Sequence, residues 1–295
     1  MSSAAQVVEL PAPRESGAAT ILRFLARAPV NLVLMALGAL WLIPTFGLFI
    51  TSILPASSLA SSGWWQIFSK PSLATWSNYD HLLHNHGLVN ALKTTAYISV
   101  GNTLIIIVIA SLAGYALAWL EFPGRDWVFV AVVGLLVVPL QMALIPMFRL
   151  YDSFGIYDTV LGIILFHVAF GLPFAIFLLR NFFVGIPKDI LESARIDGAS
   201  EFRIFLRLIL PLGLPAIASL AIFQFLWTWN DLIVALTFGQ TVQPITVWIF
   251  GQLREFATSI DIIAPASFIS LMIPLVVFFA FQRYFVQGLL AGSVK

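Results

Sequence analysis

The chain contains no cysteine, and only 10% of its 295 residues are charged. Without thiols there is no disulfide framework, and a cysteine-ligated zinc or iron–sulfur site is excluded. A soluble domain carries about 25% charged and about 45–50% apolar residues. Here the apolar share is 60% and the mean hydropathy is +0.97, so little of the surface can face water. A net charge of +1 gives no electrostatic case for nucleic acid. No G-x-x-x-x-G-K-[ST] phosphate loop occurs, and neither a Ser/His/Asp framework nor a paired-carboxylate site is recognisable. The chain is therefore expected not to be an enzyme, to bind no metal and to hold no cofactor of its own.

What it has instead is long apolar runs. A bilayer core about 30 Å thick needs roughly 20 apolar residues in a helix. Six segments qualify, near 29–53, 92–120, 127–147, 159–183, 214–238 and 264–285. Helices are expected because lipid cannot satisfy an open backbone, and the runs are continuous rather than alternating as barrel strands would be. The first run, Val30 to Ile53, is too long for the core of a signal peptide. The reading is an all-α, polytopic membrane protein of six transmembrane helices. Its parts are a cytoplasmic tail over 1–28, a membrane domain over 29–285 and a cytoplasmic tail over 286–295. With the N-terminus placed in the cytoplasm, Lys70, Lys93, Arg149 and Arg254 fall on the outer side and every other Lys and Arg on the inner. That asymmetry fits the positive-inside rule, and six spans return the C-terminus to the cytoplasm. Trp64, Trp65, Trp76 and Tyr79 in the first outer connection suit a headgroup-level position.

One inner connection, about 187–213, differs from its surroundings. Pro187 suits a first helical turn, Ile190, Leu191 and Ala194 form an apolar stripe, and Gly198 allows a left-handed cap. Ser200 is placed to cap a second helix, 201–210, with Phe202, Phe205, Leu206 and Ile209 on one face. Pro211 is expected to end that helix. Two readings are open, an element lying on anionic lipid or a docking element for a soluble protein. Asp189, Glu192, Asp197 and Glu201 nearly balance Lys188, Arg195, Arg203 and Arg207. A lipid-binding face would be more one-sidedly basic, so the balance favours a protein partner.

These residues carry a resemblance. Glu192, Ser193, Ala194 and Gly198, then nine residues, then Leu208, Leu210 and Pro211 resemble the EAA loop of ABC importer permeases, E-A-A-x-x-x-G followed by I-x-L-P. "LAGYALAWLEFPGR" (112–125), "VVPLQMALIPMFRLYDSFGIYDT" (137–159), "WTWND" (227–231) and "YFVQGLLAGSVK" (284–295) are similar to the carbohydrate branch, maltose-type G subunits in particular. The resemblance implies a type I importer permease fold, a five-helix core plus one N-terminal helix, in a bacterial inner membrane. It implies a second permease (F-like), two ATPase subunits that bind ATP and Mg, and an extracytoplasmic solute-binding protein as partners. Glu192, Ser193, Ala194, Asp197, Gly198, Phe202 and Phe205 would meet the ATPase, and Gln287, Gly288, Gly292 and Lys295 would make tail contacts. The substrate suggested is an oligosaccharide such as an α-glucoside or maltodextrin, with glycerol-3-phosphate-type solutes as the alternative and an ion-coupled secondary transporter further off.

Acids inside a span are costly and face a bundle interior or water. Asp231 with Trp227, Trp229 and Asn230 forms a polar–aromatic group suited to a sugar path, or alternatively to helix packing. Gln224, Asn102 and Gln141 are weaker pathway candidates, and His167 reads first as a packing residue. His81, His84 and His86 read as a solvated loop rather than a zinc site.

Overall fold

A computed structural model describes the backbone of residues 17–255 and 259–291 and the side chains of 28–254 and 259–283. The described residues form helices joined by short connections. Helix α1 (Gly17–Ser52) leads into a connection of short helical pieces ending in Ser77–Leu83. Next come α2 (His86–Trp119), α3 (Arg125–Leu135), α4 (Leu140–Ser153), α5 (Val160–Val184) and α6 (Lys188–Ile196). The chain closes with α7 (Glu201–Trp229), α8 (Ile233–Phe238), α9 (Ile245–Glu255) and α10 (Ile260–Ala291).

Five of these helices are long and apolar enough to cross a bilayer, and the α3–α4 pair makes a sixth if counted as one broken span. The expected third span is thus bent, by 99°. Pro139 explains the place: the residue before a proline is pushed out of the helical region. On the near side of the break the backbone closes on itself, with Leu136, Val137 and Val138 donating to Val133, Gly134 and Leu135 three residues back. Such local closure is what a low-dielectric surrounding demands.

Caps fix where the other spans begin. The Asn85 side chain accepts from the N–H groups of Gly87 and Leu88, and Thr159 accepts from Gly162, each meeting donors that have no helical partner. The bundle centres on α2, α5 and α7, with α10 against α7 and α1 leaning on α10. Close approach of α2 and α5 depends on Gly114, where a Cβ would sit 3.1 Å from the Arg180 backbone nitrogen. Without a hydrophobic drive between helices in lipid, such small-residue contacts supply the packing. Asn102 and Thr228 hydrogen-bond across α2 and α7 at 2.7 Å, so Asn102 packs the bundle. Gln141 is exposed on α4.

Two boundaries differ from the sequence reading. The second loop helix does not end at Pro211 but continues as α7 through Trp229. The turn at Phe205–Ile209 widens to a π-helix, with Leu210 N–H bonded to the Phe205 carbonyl. A widened turn of this kind accommodates a residue that cannot supply the regular i→i−4 bond. At its other end the expected fifth span, 214–238, is cut at Asn230, and residues 233–238 form the separate α8.

Candidate functional site

The charged loop is the first site. Its inner stripe is driven into the bundle: Leu191, Ile204 and Ile209 are fully buried in the same core cluster as Leu179 and Phe183 of α5. Phe205 joins them, 5.4 Å from the Tyr115 ring. Phe202 goes the other way and is 64% exposed. Ile196 is 86% exposed, Glu192, Ser193, Asp197 and Gly198 are also open, and Ala194 is half-buried. The candidate set is therefore split. Phe205 anchors the loop, and Phe202 with the remainder forms the outward face.

Gly198 turns the corner at φ +75°. Ala199 N–H bonds to the Ala194 carbonyl and Gly198 N–H to the Arg195 carbonyl, the paired bonds of a Schellman cap. Ser200 sits at the next N-cap position but its side chain makes no capping bond. Behind the corner lies a brace. Arg195 Nε meets Glu201 Oε1 at 2.8 Å, and its other nitrogen reaches the Trp119 carbonyl. The Tyr115 hydroxyl donates to Glu201 Oε2, and Trp119 Nε1 donates to the Phe183 carbonyl. Hydrogen bonding to Glu201 raises the Arg195 pKa. On the open face, Lys188 bonds Glu192 at 2.8 Å and holds that carboxyl below the usual carboxylate range. Sequence reasoning missed Tyr115. Its signal was a phenol near the end of an apolar helix, a group that needs a partner when buried.

The second site is a cavity of about 290 Å³ near the far end of α7. Leu135, Leu136, Val138 and Leu140 line it from the broken span, His167, Phe170, Gly171 and Phe174 from α5, and Phe223, Gln224 and Trp227 from α7. The Trp227–Asp231 group is therefore not one cluster. Trp227 lines the cavity, whereas Trp229, two residues on and across the helix, is buried with Nε1 bonded to the Ser270 carbonyl of α10. Asn230 bonds back to the Leu226 carbonyl. Asp231 caps α8, accepting from Val234 and Ala235 N–H groups, and its Oδ2 lies 3.5 Å from His167 Nε2. So Asp231 touches the cavity only through His167, which the sequence reading had placed among packing residues.

The tail candidates Gln287 and Gly288 lie on α10, but their side chains fall outside the described residues, as do Gly292 and Lys295 entirely. Among the described residues no three His, Asp or Glu gather as a metal site.

Comparison with known proteins adds four findings. The chain is 45% identical over 278 residues to the osmoprotective compounds uptake permease protein GgtD of Synechocystis, covering 92% of this chain and 93% of that one. It is 49% identical over 233 residues to the alpha-glucoside transport system permease protein AglG of Rhizobium meliloti, covering 76% of this chain and 61% of that protein. The fold superimposes with TM-score 0.75 on a chain of a bacterial ABC transporter that imports the acidic polysaccharide alginate. There the identity is 23%, with 93% of this chain and 100% of that chain covered. Residues 106–290 match the binding-protein-dependent transport system inner membrane component family. The chain belongs to that family, as a sugar-type permease subunit of an ABC importer.

Proposed function

We propose that this chain forms half of the translocation pathway of an ATP-driven sugar importer and couples to cytosolic ATPase subunits through the α6–α7 corner. The observation that carries the reading is the split of the loop. Leu191, Ile204 and Phe205 are buried in the bundle while Ile196 and Phe202 are exposed, as are Glu192, Ser193 and Asp197. Large apolar groups held rigid and open among charged ones make a docking face for a protein. With no phosphate loop in the chain, hydrolysis falls to the partner. ATP binding would draw the docked corners together and swing α7 with them.

The further partners are a second, F-like permease and a solute-binding protein on the opposite side, with both termini cytoplasmic. Gln287, Gly288, Gly292 and Lys295 are proposed to reach the ATPases. Relatives named for α-glucosides and osmoprotective compounds support an oligosaccharide or small glycoside as cargo, with Trp227 on its path and Asp231 acting through His167. Purification from the native membrane tests the assignment: an ATPase and a second permease should co-purify. Transport by this chain alone in liposomes, without ATP, would overturn it.

A further inference from the structure

We infer that the apolar groove between α1 and α10 seats one acyl chain of a bilayer phospholipid, drawn from the leaflet on the side of the connection between α1 and α2. On the proposed topology that is the outer leaflet. The inference is independent of the cargo and of the ATPase; it needs only that α1 and α10 stand in a bilayer.

Chemistry limits the occupant first. The groove holds about 490 Å³, and every accessible atom lining it is apolar. Tyr79 keeps its hydroxyl out of the space by bonding Ser52 Oγ at 2.7 Å. A sugar, a headgroup or an irregular peptide seated here would lose its hydrogen bonds to water and gain none. A hydrocarbon chain has none to lose.

Shape limits it next. On α10, Ile269, Met272, Ile273, Val276 and Val277 line the groove at the spacing of one helix face. That face is only partly covered, with Val276 65% exposed. From Phe268 to Val277 the wall descends nine steps of 1.5 Å, about 14 Å. Half of a hydrocarbon core about 30 Å thick is about 15 Å, so the groove is one leaflet deep. Four rings roof the end nearest the connection: Phe49 lies 5.1 Å from Phe268 and 6.5 Å from Trp76, and Trp76 lies 5.6 Å from Tyr79. A transmembrane helix from another subunit, about 10–12 Å across, would have to pass through that roof to reach the surface. A flexible tail enters from the open side and stops beneath it. Trp76 is 66% exposed, as suits a ring at the ester and headgroup layer from which a tail descends.

The tail also has something to hold. Residues 29–44 of α1 are all exposed, and its buried positions begin at Gly47. The groove lies where that buried part meets α10. In lipid no hydrophobic drive presses two helices together, so a tail packed beside the Phe49–Phe268 contact adds dispersion contacts that an unfilled groove would forfeit.

Photolabelling of the intact assembly in its membrane, using a phosphatidylethanolamine with a diazirine midway along one acyl chain, tests this. Leu271 lies at the same depth on α10 but off the groove, and at 38% exposed it is more open than Ile269, Met272 or Ile273. Lipid that only surrounds the protein would label by exposure and mark Leu271 above those three. A seated chain reverses the order, so label on Ile269, Met272 and Ile273 is expected to exceed that on Leu271. Ile273→Trp fills the groove and should restore the order set by exposure, at unchanged assembly yield. Phe279→Trp, on the same helix beyond the groove, should leave the reversed order in place. Label that follows exposure in the unaltered protein would overturn the inference, whether or not Ile273→Trp assembles. So would a reversed order that Ile273→Trp leaves unchanged. A photoreactive residue at Val276 that joins to another protein chain rather than to lipid would assign the groove to a subunit and overturn it as well.

Discussion

Gly198 is the residue on which the charged corner turns. Nothing lies within 4 Å of a Cβ built there, so the constraint is conformational, not spatial. An L-residue at φ +75° costs about 1–2 kcal/mol, and Gly198→Ala should lower uptake roughly five- to thirtyfold with membrane insertion intact. Gly198→Pro also loses the N–H that bonds Arg195 and should abolish uptake; wild-type transport in that variant would refute the coupling role. Asp158 supplies a second test, in the connection between α4 and α5. Burial raises its pKa, but the Thr241 hydroxyl and the N–H groups of Val242, Thr241 and Gln240 outweigh it and hold the carboxyl below its ordinary value. A depressed carboxylate stabilises above its unfolded pKa and loses that contribution as pH falls through the folded one. Hydrogen-exchange protection of residues 240–242 should therefore be steady from pH 7 to about 4 and fall below it, and Asp158→Asn should remove the dependence. Gly198 was readable from sequence, because only glycine suits a left-handed cap between two amphipathic stretches. The Asp158 clasp was not, since its partners lie more than 80 residues away.

Among the helices, the brace of Tyr115, Glu201 and Arg195 ties α6 and α7 to α2. Removing it by Glu201→Gln should cost about 1 kcal/mol, discounted because both charged partners are partly exposed. Uptake should drop roughly fivefold while ATP hydrolysis by the assembly persists; equal loss of both would point to misassembly instead. The long apolar runs made the spans legible, since each exceeds the thickness requirement whatever its packing. Their internal breaks were harder. Val137, Val138 and Pro139 read as more of the same run because hydropathy carries no direction, and only Pro139 hinted at the bend. Asn230 and Asp231 were a visible stop signal that the apolar residues on either side outvoted. Trp227 and Trp229 were assigned together because α7 beyond Leu210 carries no charge to mark one face, so no periodicity revealed which ring faced the cavity and which faced α10.

Taken together, the bundle places the charged corner at one end and the cavity toward the other, and the absence of cysteine makes that arrangement simple to probe. Single substitutions Ile196→Cys and Trp65→Cys put thiols at exposed positions at the two ends. A membrane-impermeant maleimide should reach Trp65→Cys from outside the cell and Ile196→Cys only in inverted vesicles. Bound ATPase subunits should shield Ile196→Cys by at least about tenfold. Labelling of both from one face would discard the six-span topology. Helix α7 joins these two ends without interruption, from Glu201 in the brace to Trp229 beside the cavity, a rod about 43 Å long at 1.5 Å per residue. Tilting such a rod by about ten degrees carries its tip about 7 Å. The π turn at Phe205–Ile209 and Pro215 both lie between the root of the rod and its midpoint, which leaves residues 216–229 as an unbroken shaft. Under the proposed coupling, a push on one side of the membrane and the width of the passage on the other become readings of a single angle.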